Sequence, residues 1–268
     1  MENAMRAWQT TSWVSAVLLS LAACSSSPTG RNQLILFSDS DMNNLGSQSF
    51  EQMKQQLKIE KDPGVNRYVQ CVAKHITDHV PQSKGFQQWE VVVFDSEQVN
   101  AFALPGGKIG VYTGLLDVAE NEDQLATVLG HEVAHVLADH SNERLSQNQI
   151  TNAGLQITNV AIGASDYAQY SDLTMAALGL GVQYGVMLPY GRTQESEADM
   201  LGLDLMAQAG FNPQQSIELW KNMAAASKGQ QPPELLSTHP SHQTRIKDLT
   251  NKMKAMPSYN VPHPTCQS

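Results

Sequence analysis

Cysteine is scarce in this chain: three residues among 268, with no Cys-x-x-Cys pair, which excludes a disulfide-built scaffold. Positive charge is scarce too. Seventeen Lys and Arg stand against 26 Asp and Glu, a formal net charge of -9. That balance excludes the basic footprint that nucleic acid requires and electrostatic adhesion to an anionic membrane surface. Any membrane attachment must therefore be hydrophobic. No apolar run reaches the ~20 residues that cross a bilayer as a helix. What remains, at 41% hydrophobic content, is enough for one fairly large domain with a sizeable core, or for two small ones.

The N-terminus is distinctive. No charge lies between Arg6 and Arg31, and the short apolar stretch from Trp13 to Ala23 suits a signal-peptide core. It ends in Leu21-Ala22-Ala23-Cys24, which looks like a bacterial lipobox with Cys24 as the lipidated residue; an ordinary secretory signal with an incidental cysteine is the other reading. The expectation is a signal peptide at residues 1–23, a lipidated tether at 24–37 with a flexible Ser25–Gly30, and a single domain at 38–268. Serine after Cys24 resembles sorting to the outer membrane of a Gram-negative bacterium. Export implies an oxidising compartment, where Cys71 and Cys266 are the candidates for one disulfide; two unpaired thiols are the other reading.

The chemistry centres on Val128-Leu129-Gly130-His131-Glu132-Val133-Ala134-His135-Val136-Leu137. On a helix, residues four apart share a face, so His131 and His135 can both reach one zinc ion. Glu132 stands beside the first histidine, placed to act on a metal-bound water without being a ligand. The apolar flanks predict burial, and burying two histidines and a glutamate is costly unless something binds them. Chance histidines satisfied by core hydrogen bonds are the competing reading.

Around this stretch the pattern predicts helices from Ser38 to about Ile59 and from Asp62-Pro63 onward. A buried strand is expected at Trp89–Phe94, and two strand segments around a Pro-Gly-Gly turn at Asn100–Tyr112. Proline and glycine suggest an edge, where Asn100, Ala101, Phe102 and Ala103 could pair with an extended peptide; an ordinary hairpin is the alternative. Asn121 caps the histidine helix, which is expected to run past His140 toward Ser146, leaving His140 off the ligand face. His75 and His79 on the second helix read as a solvated face. Residues 147–190 are rich in Gly, Ala, Ser and Thr and read as weak helices, either a lid over the site or buried core. The helix starting near Arg192 carries Glu195 and Asp199 on one face. Glu195 completes a three-ligand set, and Asp199 can accept the outer ring N–H of a ligating histidine. Glu197 points elsewhere, and Arg192 holds the helix or a neighbouring carboxylate. Further helices are expected from Asn212-Pro213 to Ala224 and from Ser241 to about Lys254.

Gly130-His131-Glu132-Val133-Ala134-His135, Arg192 with Glu195-Ser196-Glu197-Ala198-Asp199, Thr238-His239-Pro240-Ser241 with Arg245-Ile246, and Asn100–Gly107 are together similar to the gluzincin family of HtpX and the CAAX-prenyl endopeptidases. Within that family the chain looks like the single-domain periplasmic lipoproteins such as LoiP and the protease part of BepA. The resemblance covers roughly residues 40–255; the membrane helices of HtpX and a tetratricopeptide array are lacking. It implies an α+β fold, a mostly helical zincin-like metalloprotease domain with a small mixed sheet beside the HExxH helix. It also implies one zinc ion per chain on His131, His135 and Glu195, with Glu132 catalytic. His239 lies near the cleft by the same resemblance, as an oxyanion donor or a loop-packing residue, and Arg245 is expected as a structural pin. The implied function is endopeptidase action on misfolded or unassembled envelope polypeptides at the periplasmic face of the outer membrane, with envelope assembly machinery as a possible partner. A zinc-stabilised chaperone or assembly lipoprotein with a closed site is the alternative.

Overall fold

The structure is a computed structural model that describes residues 24–81, 84, 88–163, 191–226 and 245–266, of which residues 24 and 152–163 by backbone alone. No described helix is long and apolar enough to cross a membrane.

The first described element is a hairpin, β1 (Cys24–Ser26) antiparallel to β2 (Asn32–Leu34). This differs from the flexible Ser25–Gly30 expected from composition. Ser27 and Gln33 are buried, and Arg31 reaches into the protein, so long-range polar contacts organise a stretch whose own sequence favours flexibility. Helix α1 (Asp39–Gln56) starts where Ser38 and Asp41 cap each other, and α2 (Pro63–Thr77) where the Asp62 carboxylate accepts from Gly64 and Val65. Val69, Val72 and Ile76 bury one face of α2 in the core.

Strands β3 (Glu90–Phe94), β4 (Ala101–Leu104) and β5 (Lys108–Tyr112) form a mixed sheet ordered β3-β5-β4. β3 runs parallel to β5, and β4 antiparallel. Gly106 and Gly107, at φ 84° and 71°, make the turn between β4 and β5. β4 is an edge strand among the described residues, as proline and glycine suggested.

The central element is α3 (Glu122–Leu137), buried at every position from Gln124 to Val136 and capped by Asn121, which accepts from Gln124. It packs against β4, α2, α5 (Arg192–Gln208) and α6 (Gln215–Ala226). Its contact with α5 is made backbone to backbone. A methyl group at Gly130 would sit 2.8 Å from the Gly202 carbonyl oxygen, and one at Gly202 would sit 2.8 Å from the His131 nitrogen. No other residue fits either position without separating the helices.

The helix does not continue past His140 as its pattern suggested. It ends at Leu137; Asp139 turns the chain at φ 54°, and α4 (His140–Gly163) starts in a new direction. Aspartate tolerates this left-handed conformation better than most residues. Gln33 donates to the freed Ala138 carbonyl at 2.6 Å, and Lys84 pairs with Asp139 at 2.7 Å. α4 covers the first part of the expected lid; residues 164–190 lie outside the described residues, as does His239.

The last helix, α7 (Arg245–Ala255), packs on α5 and α6. Beyond it, Cys266 is joined to Cys71 of α2 with Cα atoms 5.7 Å apart, across a separation of 195 residues. The two thiols are thereby consumed, so their proximity to His75 makes no metal site. Replacing both cysteines by serine is expected to lower unfolding free energy by about 2–5 kcal/mol, read by denaturant titration. An unchanged midpoint, equal to that of the oxidised wild type, would show that the bridge contributes nothing.

Candidate active site

Two helices meeting at glycine bring three ligand-type side chains into one buried point. Nε2 of His131 and Nε2 of His135 lie 3.1 Å apart, one turn apart on α3. From α5, the Glu195 carboxylate lies 3.4 Å from each of these nitrogens. All three residues are buried. Glu132 is buried in the same turn of α3.

The donor set fits a divalent metal. Two imidazoles present converging nitrogens, with a carboxylate completing three protein ligands in the manner of a catalytic zinc site. Charge points the same way. Glu132, Glu195 and Asp199 share this interior with one guanidinium, that of Arg245, so carboxylates outnumber it around the histidines and a divalent cation would offset them. Burial alone would push the His131 pKa down, but the hydrogen bonds with Asp199 and Glu195 outweigh it and raise the value to about 9. Carboxylates that pull so strongly on a proton pull equally on a metal cation.

Each histidine is held from behind by a different device. Nδ1 of His131 meets the Asp199 carboxylate at 3.0 Å, the contact expected from the spacing of α5. Asp199 in turn accepts from Arg245 at 2.5 Å. Arg245 is itself buried, its guanidinium stacked 3.5 Å from the Trp220 ring centre. It is a pin, but one that grips the site's own carboxylate.

His135 is held by groups that the sequence pattern did not single out. Its Nδ1 lies 2.8 Å from Nδ1 of His140, and Nε2 of His140 lies 3.1 Å from Glu197. The break at Asp139 is what swings His140 onto the site. Glu197 accepts from Arg31 Nε at 2.9 Å and from Thr29. Arg31 also forms a two-pronged pair with Glu143, at 2.6 and 2.7 Å. Glu143 accepts from Gln194 as well. Burial would raise the Glu197 pKa, but the hydrogen bonds of Ser27, Thr29, Arg31 and His140 outweigh it and bring it down to about 2. Burial lowers the His140 pKa, only partly opposed by Glu197, so this ring is held neutral. Arg192, expected to hold the helix or a neighbouring carboxylate, is exposed, and it is Arg31 that pairs with Glu143 and Glu197. The signal available in sequence was the crowding of polar residues, His140, Asn142, Glu143 and Ser146 on one helix and Gln194 and Glu197 on the other, all of them buried.

On the other side of α3, β4 turns Ala101 and Ala103 into the interior, while the Phe102 ring packs with Phe50, Phe94 and Tyr112. Of the residues Asn100–Ala103 expected to contact substrate, the Phe102 side chain is engaged in this aromatic cluster, and the outer backbone edge of β4 pairs with no strand among the described residues.

Comparison with known proteins gives this arrangement a context. Residues 63–253 match the model of peptidase family M48. The mitochondrial metalloendopeptidase OMA1 of Schizosaccharomyces pombe is 40% identical over 165 residues, 60% of this chain and 46% of that protein. OMA1 of Bos taurus is 33% identical over 237 residues, 82% of this chain and 44% of the relative. The beta-barrel assembly-enhancing protease of Escherichia coli O157:H7 is 30% identical over 217 residues, 79% and 44% of the two chains. The chain thus spans under half the length of these relatives.

Because the glycine contact sets the separation of α3 and α5, Gly202→Ala is expected to cost about 1–3 kcal/mol of stability through overpacking. It is also expected to weaken metal binding by moving Glu195 away from the histidines. Chemical denaturation and metal content after dialysis measure both; unchanged values would sink the geometric argument.

Proposed function

The chain belongs to peptidase family M48 and carries its metallopeptidase domain, and from that premise we propose a zinc-dependent endopeptidase that cleaves poorly folded or unassembled proteins of a bacterial cell envelope. The observation that carries the reading is the convergence of His131, His135 and Glu195, each buried and drawn from two helices. Bound there, zinc would polarise the scissile carbonyl and lower the pKa of a bound water toward ~7. Glu132 takes a proton from the attacking water and returns it to the leaving amine. Asp199 holds His131 in place, with Arg245 balancing its charge. The edge of β4 binds substrate backbone in extended form, which favours unfolded chains.

The envelope location rests on the Leu21–Cys24 pattern and on the bacterial relative named for β-barrel assembly; mitochondrial relatives match equally well, so the compartment is part of the proposal. A lipid on Cys24 would join the folded domain with no flexible spacer, since β1 starts at that residue.

Glu132→Gln is the discriminating variant. It is expected to keep about one zinc per chain and to lose about 10²- to 10⁴-fold in cleavage of reduced, unfolded casein. Chelator should abolish the wild-type rate and zinc restore it. Wild-type cleavage by Glu132→Gln would remove Glu132 from the chemistry.

A further inference from the structure

We propose that the turn of the β1–β2 hairpin, a strap over residues 27–31, positions the metal-binding form of His135 through Thr29 and Arg31, by way of Glu197 and His140. The proposal rests on reading His131, His135 and Glu195 as zinc ligands.

The argument follows the protons. Nε2 of His135 is the nitrogen that faces His131 and Glu195, so it must offer a lone pair to a metal. A neutral imidazole has one N–H, which must then sit on Nδ1. That atom faces Nδ1 of His140 at 2.8 Å, and two ring nitrogens at this distance share one proton. Either ring could supply it. If His140 donated, His135 would carry its own proton on Nε2, in the place a metal needs.

Glu197 decides between the two. An ionised carboxylate only accepts, so at 3.1 Å it takes the N–H of His140 Nε2. A neutral His140 then has no proton on Nδ1 and can only accept there. His135 donates, and its Nε2 is left open toward His131 and Glu195. The direction of the whole relay is set by where the Glu197 carboxylate is held, 3.1 Å from Nε2 of His140.

That task falls to the strap. Arg31 Nε donates to Glu197 at 2.9 Å, and Thr29 donates to the other carboxylate oxygen. The remaining two nitrogens of Arg31 are locked on Glu143, which is fixed in turn by Gln194 of α5. Arg31 and Thr29 are 166 and 168 positions away from Glu197 in sequence, so this support reaches the site across the fold. Ser27 Oγ supports the turn by accepting from the Arg31 backbone at 3.1 Å. Partners that orient a ligating histidine from behind commonly contribute 10- to 100-fold in metal affinity. Here one of the two histidines draws that support from the turn of the β1–β2 hairpin.

The test uses the full chain labelled with ¹⁵N-histidine, in wild-type, Arg31→Gln, Arg31→Lys and Glu197→Gln forms. Zinc affinity is measured by competition with a chromophoric chelator, and ring tautomers by ¹⁵N–¹H correlation on chelator-stripped protein. Wild type should show His135 protonated at Nδ1. Arg31→Gln and Glu197→Gln should each bind zinc about 10- to 100-fold more weakly, with His135 shifted toward the Nε2–H form, and Arg31→Lys should recover part of both. Should Arg31→Gln not fold, Glu197→Gln, which keeps shape and removes charge, carries the test alone. Folded variants with wild-type affinity and tautomer would overturn the strap's role while leaving the ligand set intact. A wild-type chain that binds no zinc would overturn the ligand set and this proposal with it.

Discussion

The site depends on a contact between two glycines. Ligands from one helix can be aligned by spacing alone, as His131 and His135 are, but the third comes from α5 and its distance is a matter of packing. Gly130 and Gly202 let the two backbones touch, so closely that a methyl group added at Gly202 would lie 2.8 Å from the nitrogen of His131 itself. Such an interface has no side chains to repack, so its geometry is set by main-chain atoms and is correspondingly stiff. The histidines project from the helix where the contact is closest, and Glu195 lies two turns before Gly202 on the partner. A glycine crossing beside a ligand set turns a loose requirement, that two helices be neighbours, into a distance fixed to a fraction of an ångström.

The same packing forces a large number of polar groups into the interior. His131, His135, Glu132, Glu195, Asp199, Arg245, His140, Glu197 and Glu143 are all buried. As isolated groups they would be unaffordable in free-energy terms. They are arranged in two branches, each starting at a histidine and ending at an arginine. One runs from His131 through Asp199 to Arg245, which lies on Trp220; the other runs from His135 through His140 and Glu197 to Arg31. Each branch alternates donor and acceptor, so satisfying one member orients the next. The branches differ in exposure. Arg245 is sealed in the core, whereas Arg31 retains contact with solvent, so the His135 branch is the one a change at the surface can reach.

The sequence made the His131 branch legible and hid the other. His131, Glu132 and His135 declare themselves by helical spacing, and Glu195 with Asp199 by a second helix of the same kind, so periodicity found every member except the role of Arg245. The caps at Ser38, Asp62 and Asn121 and the edge character of β4 were visible for similar reasons, because local chemistry and local structure coincide there. His140 was lost because periodicity assumes that a helix goes on. Asp139 adopts a positive φ that no hydrophobic pattern marks, and a residue expected off the ligand face is turned onto it. Arg31 was lost for a different reason: Ser-, Pro- and Gly-rich sequence reads as flexible unless its long-range partners are known.

These two omissions have one origin. The break at Asp139 frees the Ala138 carbonyl, and the group that takes it is Gln33, on β2 of the hairpin that carries Arg31. The hairpin therefore acts on His140 from both ends. Gln33 stabilises the turn that aims the ring, and Arg31 holds the carboxylate that receives its N–H. Gln33 also donates to Glu143, the second partner of Arg31, so the two contacts are parts of one network. A hairpin of two three-residue strands is marginal on its own and gains its order from this docking. The dependence runs both ways: the site orders the hairpin, and the hairpin orients the site.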